Sequence, residues 1–343
     1  MPDSSSVEAR GGPGARLAGL DILKAVAALT VVGIHAAPQV GAFYLEHVNG
    51  GLLRLGVPIF LGISGYLVGR AGTSQARFRR TTWRFVRLHI VWAVFYWAFA
   101  YAQGTTGIPT TLKAVAVRFA DGAYPGQYYF VILIQVYGFC SLLPDRREEH
   151  FCGSRMSLLL GVVASGASLV LHDVIGSGGL GLPRGLSQVV SSANGIWLWW
   201  VFFTAGAFAG RREREGAWVF DGRLALAGTL LASAVALIAQ PEFPRALEFS
   251  HAPYARLTVQ VAAVVLILSL PGWSHLSAPR WVLLAGQRSF GVFVLNPALL
   301  FGVSAAVGMP AGWPETWAQA VFVMGLACWL QPRIERLFPW SMR

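Results

Sequence analysis

The side chains best suited to chemistry lie in an apolar stretch, LDILKAVAALTVVGIHAAP, which runs from Leu20 to Pro38. The stretch is long enough to cross a bilayer, yet it contains Asp21, Lys24 and His35. A charged group near the middle of a transmembrane helix costs about 2.5–3.5 kcal/mol on insertion scales. An imidazole also exchanges protons near neutral pH. These three residues are therefore candidates for proton transfer or for binding a charged ligand.

Helical geometry places the three ionisable residues on one face. Lys24 and His35 are eleven residues apart, which is three turns at about 100° per residue, and Asp21 precedes Lys24 by one turn. At about 1.5 Å per residue, His35 lies roughly 16 Å beyond Lys24. Alternatively, Asp21 and Lys24 reach the inner interface while His35 meets interfacial water. The small residues along the stretch favour a helix packed inside a bundle: Ala25, Ala27, Ala28 and Gly33.

An arginine cluster follows the second apolar segment, in RFRRTTWRFVR. Arg80, Arg84 and Arg87 share one helix face at positions i, i+4 and i+7. Guanidinium groups bind phosphate in a bidentate manner, so this face is a candidate site for a phosphate-bearing cytoplasmic ligand. Attraction to anionic lipid headgroups is the alternative explanation.

Four polar side chains inside apolar segments are candidates for lining a substrate pocket. They are Ser64, Tyr66, Tyr129 and Asn296. Each also has a structural explanation. Ser64 and Tyr66 would serve close helix packing, Tyr129 would belong to the aromatic residues at the membrane interface, and Asn296 would accompany a helix kink at Pro297.

Composition identifies an integral membrane protein. Hydrophobic residues make up 55% of the 343 positions and charged residues only 13%, against about 25% in soluble domains. The net charge of +11 is explained by basic cytoplasmic loops, so no nucleic-acid partner is predicted. The three cysteines are dispersed, which predicts neither a disulfide framework nor a metal site.

The hydropathy pattern predicts an all-α integral membrane protein with about ten transmembrane helices and both termini in the cytoplasm. Most of the 27 lysines and arginines then lie on the cytoplasmic side. A polar tail, 1–16, precedes a single transmembrane domain, 17–335, and a short tail, 336–343, follows it. The ten spans are predicted near 17–37, 51–70, 86–102, 126–144, 156–172, 195–210, 222–240, 255–271, 289–307 and 315–332.

With these motifs in place, the chain resembles the acyltransferase-3 family of membrane O-acyltransferases. The resemblance rests on LDILKAVAALTVVGIH, VPIFLGISGYL, RRTTWRFVR, YYFVILIQVYGFCSLLP and GQRSFGVFVLNP, which occur in the family's order. The family's histidine matches His35, its basic partner Lys24, and its Arg-x-x-Arg motif Arg84 and Arg87. The ninth span departs from the family's Tyr-Leu-x-His pattern, because Phe293 and Asn296 stand at the tyrosine and histidine positions.

The resemblance implies transfer of an acyl group, expected to be acetyl, from cytoplasmic acyl-CoA to a hydroxyl. The acceptor would be a saccharide or a lipid-linked glycan precursor at the cell membrane. Acyl-CoA is then a co-substrate, and no bound cofactor is expected. His35 would act as the general base or as a transient acyl carrier. A transporter or flippase for a small anion or saccharide is the alternative, because a polar stripe and interrupted helices also suit transport.

Overall fold

A computed structural model of the chain describes residues 17–36, 48–72, 74–104, 111–120, 128–142, 151, 153–176, 195–217, 222–238, 257–273 and 276–339. These residues form helices connected by turns, and no strand occurs among them. A short 3-10 helix, Leu52–Leu55, leads directly into the second α-helix. The α-helices are α1 Ala18–Ala36, α2 Gly56–Ala71, α3 Gln75–Ala102, α4 Leu112–Ala120, α5 Tyr128–Leu142, α6 Arg155–Gly176, α7 Ile196–Arg214, α8 Gly222–Ile238, α9 Leu257–Leu268, α10 Leu270–Trp273, α11 Arg280–Gln287, α12 Ser289–Val307 and α13 Trp313–Leu337.

The all-α prediction is confirmed, with a helix in each predicted window. Four helical segments are long and apolar enough to cross a membrane: Ala18–Ala36, Leu52–Ala71, Gln75–Ala102 and Ser289–Val307. Shorter apolar helices occupy Tyr128–Leu142, Arg155–Val170, Arg223–Ala234 and Leu257–Leu268. The count of about ten crossings stays a prediction.

Helix boundaries differ from the sequence prediction at three places. α3 begins at Gln75, eleven residues before the predicted span, because arginine is a good helix former and continues the helix through the basic cluster. The predicted outer loop 103–122 contains α4. The amphipathic helix α11 precedes α12, with the Trp281 side chain exposed.

The helices α2 and α7 pack with their backbones in contact. A Cβ added at Gly65 would overlap the carbonyl oxygen of Phe203, and one added at Gly206 would overlap the carbonyl oxygen of Gly62. The same holds at Gly69 and at Gly210. Small residues spaced four apart allow the two helix backbones to approach closely. Inside a bilayer the hydrophobic effect does not drive helices together, so the van der Waals contact made by this close approach stabilises the pair. The glycine seam fixes α2, which contributes Ser64 from its opposite face.

Helix α4 folds back along α3 instead of lying beyond its end. The Nε2 atom of His89 lies 3.0 Å from the carbonyl oxygen of Phe119 near the end of α4. The Phe119 ring also packs edge-on against Trp97, with centroids 5.0 Å apart. Phe130, near the start of α5, approaches the same histidine at 6.2 Å. The end of α4 and the start of α5 therefore meet beside His89, within the length of α3.

Helix α1 contacts α2, α11, α12 and α13. Gly286 of α11 packs so tightly on α1 that a Cβ there would overlap the backbone of Asp21. At the other end of α1, Gly33 faces Leu53 and Trp317. Neighbours thus surround α1 along its length, as its small residues predict.

Candidate functional site

The Asp21 and Lys24 side chains form an ion pair within α1. The Lys24 Nζ atom lies 3.3 Å from Asp21 Oδ1, one helical turn away. Asp21 is only 3% exposed, whereas Lys24 is partly exposed. Asp21 also lies in the first turn of α1, where the helix dipole stabilises a carboxylate. Asp21 is therefore buried in the bundle, whereas the Lys24 side chain keeps 26% of its surface exposed.

His35 lies in the last turn of α1 and is partly exposed. A polar group on the segment before the 3-10 helix adjoins it: Asn49 Nδ2 donates to the carbonyl of Ile34 at 3.4 Å. Arg54 donates from Nε to the Asn49 carbonyl at 3.0 Å and from Nη2 to its Oδ1 at 3.2 Å. The positive charge of Arg54 acts on the His35 imidazole. Sequence reasoning assigns Arg54 no role, because only the fold brings it to α1.

The arginine cluster lines an open groove on α3. Arg77, Arg80, Thr81 and Arg84 line this groove, whose volume is about 490 Å³. All three arginine side chains are exposed. Their spacing of three, four and seven residues places them on one helix face. Arg80 and Arg84 are thus brought together as predicted, Arg77 joins them, and Arg87 lies one turn beyond the lining.

Hydroxyl groups from two helices meet next to this groove. Ser64 of α2 lies close to the phenol groups of Tyr129 and Tyr137 on α5. Its own hydroxyl also donates to the carbonyl of Phe60 at 2.9 Å. The Tyr129 ring lies 4.9 Å from the Phe293 ring of α12, measured between centroids. Ser64 and Tyr129, both predicted pocket residues, are therefore neighbours.

Asn296 compensates for the proline that follows it. Pro297 has no amide hydrogen, so the carbonyl of Phe293 loses its helical partner. Asn296 Nδ2 donates to that carbonyl at 2.6 Å. Asn296 is 1% exposed, and its Oδ1 atom has no hydrogen-bond partner among the described residues. One buried acceptor thus remains available one turn beyond the Phe293 ring.

Tyr66 does not join the other predicted pocket residues. Its fully buried ring lies in the α2–α7 interface, and its hydroxyl donates to the carboxylate of Glu213 near the end of α7. Just past this end, Arg211 donates to exposed Glu215 and holds the pKa of that carboxyl below its usual range. The Tyr66–Glu213 bond joins α2 to the end of α7 and gives Tyr66 a structural role.

Potential metal ligands are dispersed in the part of the chain that the structure describes. No group of three His, Cys, Asp or Glu side chains there could hold a metal ion. The described polar groups instead form the α1 ion pair, the His35 surroundings, the arginine groove and the hydroxyl cluster.

Apolar membrane-length helices around buried polar side chains define a helical membrane protein with a polar interior. A family model of the acyltransferase-3 type, described as an acyltransferase domain, matches residues 17–330. The chain therefore belongs to the acyltransferase-3 family, as the sequence motifs indicated. No curated protein and no solved structure matches the chain.

Proposed function

We propose that this membrane acyltransferase moves an acyl group, with acetyl as the expected case, from cytoplasmic acyl-CoA to a hydroxyl. The proposed acceptor is a saccharide or a lipid-linked glycan precursor at the cell membrane. The main support is the arrangement along α1: the ion pair of buried Asp21 with Lys24 lies near one end and His35 lies near the other. A polar stripe through a packed helix needs such a role, because burying ionisable groups in a membrane is costly.

The proposed topology has about ten crossings and cytoplasmic termini. It places the groove of Arg77, Arg80 and Arg84 on the cytoplasmic side, where acyl-CoA is available. The same topology places His35 and Arg54 toward the outer face, where surface glycans are modified. The excess of basic residues on one side supports this orientation.

The proposed reaction uses His35 as a general base. Its neutral imidazole takes the proton from the acceptor hydroxyl while that oxygen attacks the thioester carbonyl. The tetrahedral intermediate then collapses, the carbon–sulfur bond breaks, and the imidazolium returns the proton to the departing thiolate. The products are an ester and free CoA. Arg54, whose charge acts on the His35 imidazole, would stabilise the oxyanion of the intermediate.

The donor would bind through its phosphates to Arg80, Arg84 and Arg87, with Arg77 added by the groove. Charge-assisted bidentate hydrogen bonds to phosphate fit these exposed guanidinium groups. Ser64, Tyr129 and Asn296 are proposed to line the route inward. The Asp21–Lys24 pair would hold the polar face of α1 in place.

A transfer assay with two matched arginine variants tests the donor site. Proteoliposomes receive labelled acetyl-CoA and a crude glycan acceptor. Arg84→Gln should raise KM for acetyl-CoA by roughly tenfold, since a hydrogen bond to a charged group contributes about 1.5–3 kcal/mol. Arg79→Gln is the control, because exposed Arg79 lies on the opposite face of α3 from the groove.

Equal KM values for the two variants would show that this groove does not bind the phosphates of acetyl-CoA. Saccharide flux across the vesicle that needs no acyl-CoA, without label transfer, would instead favour the transporter alternative.

A further inference from the structure

A series of side chains connects the arginine groove to the interior of the bundle. Tyr137 is the first of them. The charges of Arg77 and Arg84 act on its phenol group. Its ring packs against Phe85 of α3 at 5.4 Å and against Phe203 of α7 at 5.6 Å, measured between centroids. Tyr137 thus lies where the groove ends and the bundle interior begins.

Ser64 and Tyr129 continue the series inward. Ser64 lies close to both phenol groups, and its hydroxyl donates to the Phe60 carbonyl at 2.9 Å. These tyrosines are eight residues apart on α5, a rise of about 12 Å. Ser64 is partly exposed, as is Phe60 one turn away, although both are on a helix in the middle of the bundle. The face of α2 that bears these two residues is therefore not fully covered by neighbouring side chains.

The inner end of the series carries an unused acceptor. Tyr129 contacts the Phe293 ring, and Phe60 approaches the same ring at 6.2 Å. One turn further along α12, Asn296 Oδ1 is buried and has no partner among the described residues. A buried acceptor without a partner costs free energy, and a ligand N–H group would remove that cost.

This series of side chains suits a long, thin ligand in which polar and apolar parts alternate. Serine and tyrosine hydroxyls both donate and accept hydrogen bonds, and the aromatic rings bind methylene groups. The pantetheine arm of acyl-CoA has this character, with two amides, short alkyl segments and a terminal thioester. It is also joined to the phosphates that the groove would bind.

We propose that Tyr137, Ser64 and Tyr129 bind the pantetheine arm of the acyl donor as it passes from the arginine groove toward Asn296. This inference rests on the proposed use of acyl-CoA. It adds Tyr137 as a donor-binding residue at the entrance to the interior. It also separates donor recognition into a phosphate part on α3 and a pantetheine part on α2 and α5.

Two acyl donors distinguish the phosphate part of donor recognition from the pantetheine part. Acetyl-CoA has both, whereas acetyl-pantetheine lacks the nucleotide and its phosphates. Initial rates of transfer are measured in proteoliposomes for wild type, Tyr137→Phe, Ser64→Ala and Arg84→Gln. Tyr101→Phe is the matched control, because Tyr101 is 58% exposed near the end of α3.

Tyr137→Phe and Ser64→Ala should each raise KM by about 2–10-fold, the effect of one hydrogen bond, and equally for both donors. Arg84→Gln should raise KM for acetyl-CoA alone. The inference is overturned if Tyr137→Phe and Ser64→Ala behave like Tyr101→Phe, or if they affect acetyl-CoA alone. If wild type transfers label from neither donor, the proposed acyl-CoA activity itself fails. Ser64→Ala removes a small partly exposed hydroxyl, so it keeps the test informative if Tyr137→Phe folds poorly.

Discussion

The glycine seam between α2 and α7 predicts a large difference between two chemically identical substitutions. Gly206→Ala adds a methyl group that would overlap the carbonyl oxygen of Gly62. Gly302→Ala adds the same group to an exposed position of α12 with nothing within 4 Å. Both gain up to about 1 kcal/mol of helix propensity, so this gain cancels in the comparison.

The overlap at Gly206 sets the size of the expected loss of stability. Overpacking typically costs about 1–3 kcal/mol, because backbones rather than flexible side chains must separate. At about 2–4 °C per kcal/mol, Gly206→Ala should melt roughly 2–12 °C below Gly302→Ala. Gly206→Ala should also lower transfer activity, since moving α2 moves Ser64. Melting is followed by size-exclusion chromatography after heating in detergent. Equal melting temperatures for the two variants would refute the backbone contact.

Three further substitutions test individual contacts. Tyr66→Phe should destabilise the protein by about 1–3 kcal/mol, because it removes the hydrogen bond to Glu213, and KM for the acyl donor should be unchanged. A raised KM would indicate that Tyr66 lines the substrate pocket after all. Asp21→Asn leaves Lys24 without its counter-charge, so it should lower the melting temperature more than the double variant Asp21→Asn with Lys24→Met does. The reverse order would contradict a stabilising ion pair between the two residues. Asn296→Ala should cost about 1–3 kcal/mol by leaving a backbone carbonyl unpaired, measured by the same heating assay, and an unchanged melting temperature would contradict that role.

Much of the fold follows from local sequence pattern. Apolar windows located a helix in every predicted position, because hydropathy depends on nearest neighbours along the chain. The shared face of Asp21 and Lys24 followed from the helical repeat, and the structure joins them. The proline kink suggested for Asn296 is accompanied by a bond from Asn296 to the carbonyl that Pro297 leaves without a partner.

Contacts between distant segments were beyond this reasoning. Arg54 reaches the end of α1 through Asn49, and no local pattern connects them with His35. Tyr137 lies between α3 and α7, and no local sequence pattern reveals that position. Tyr66 was placed in the pocket because it adjoins Ser64 in sequence, although residues two apart on a helix point to different sides.

The central claim is that His35 takes the proton from the acceptor hydroxyl. The most direct measurement is the rate of labelled acetyl transfer from acetyl-CoA in proteoliposomes, compared between wild type and His35→Gln at equal protein amounts. If His35 is the general base, kcat of His35→Gln should fall by about 10²–10⁴-fold, the usual contribution of such a base, while the melting temperature is retained. A stable His35→Gln protein that transfers acetyl within about twofold of the wild-type rate would contradict it.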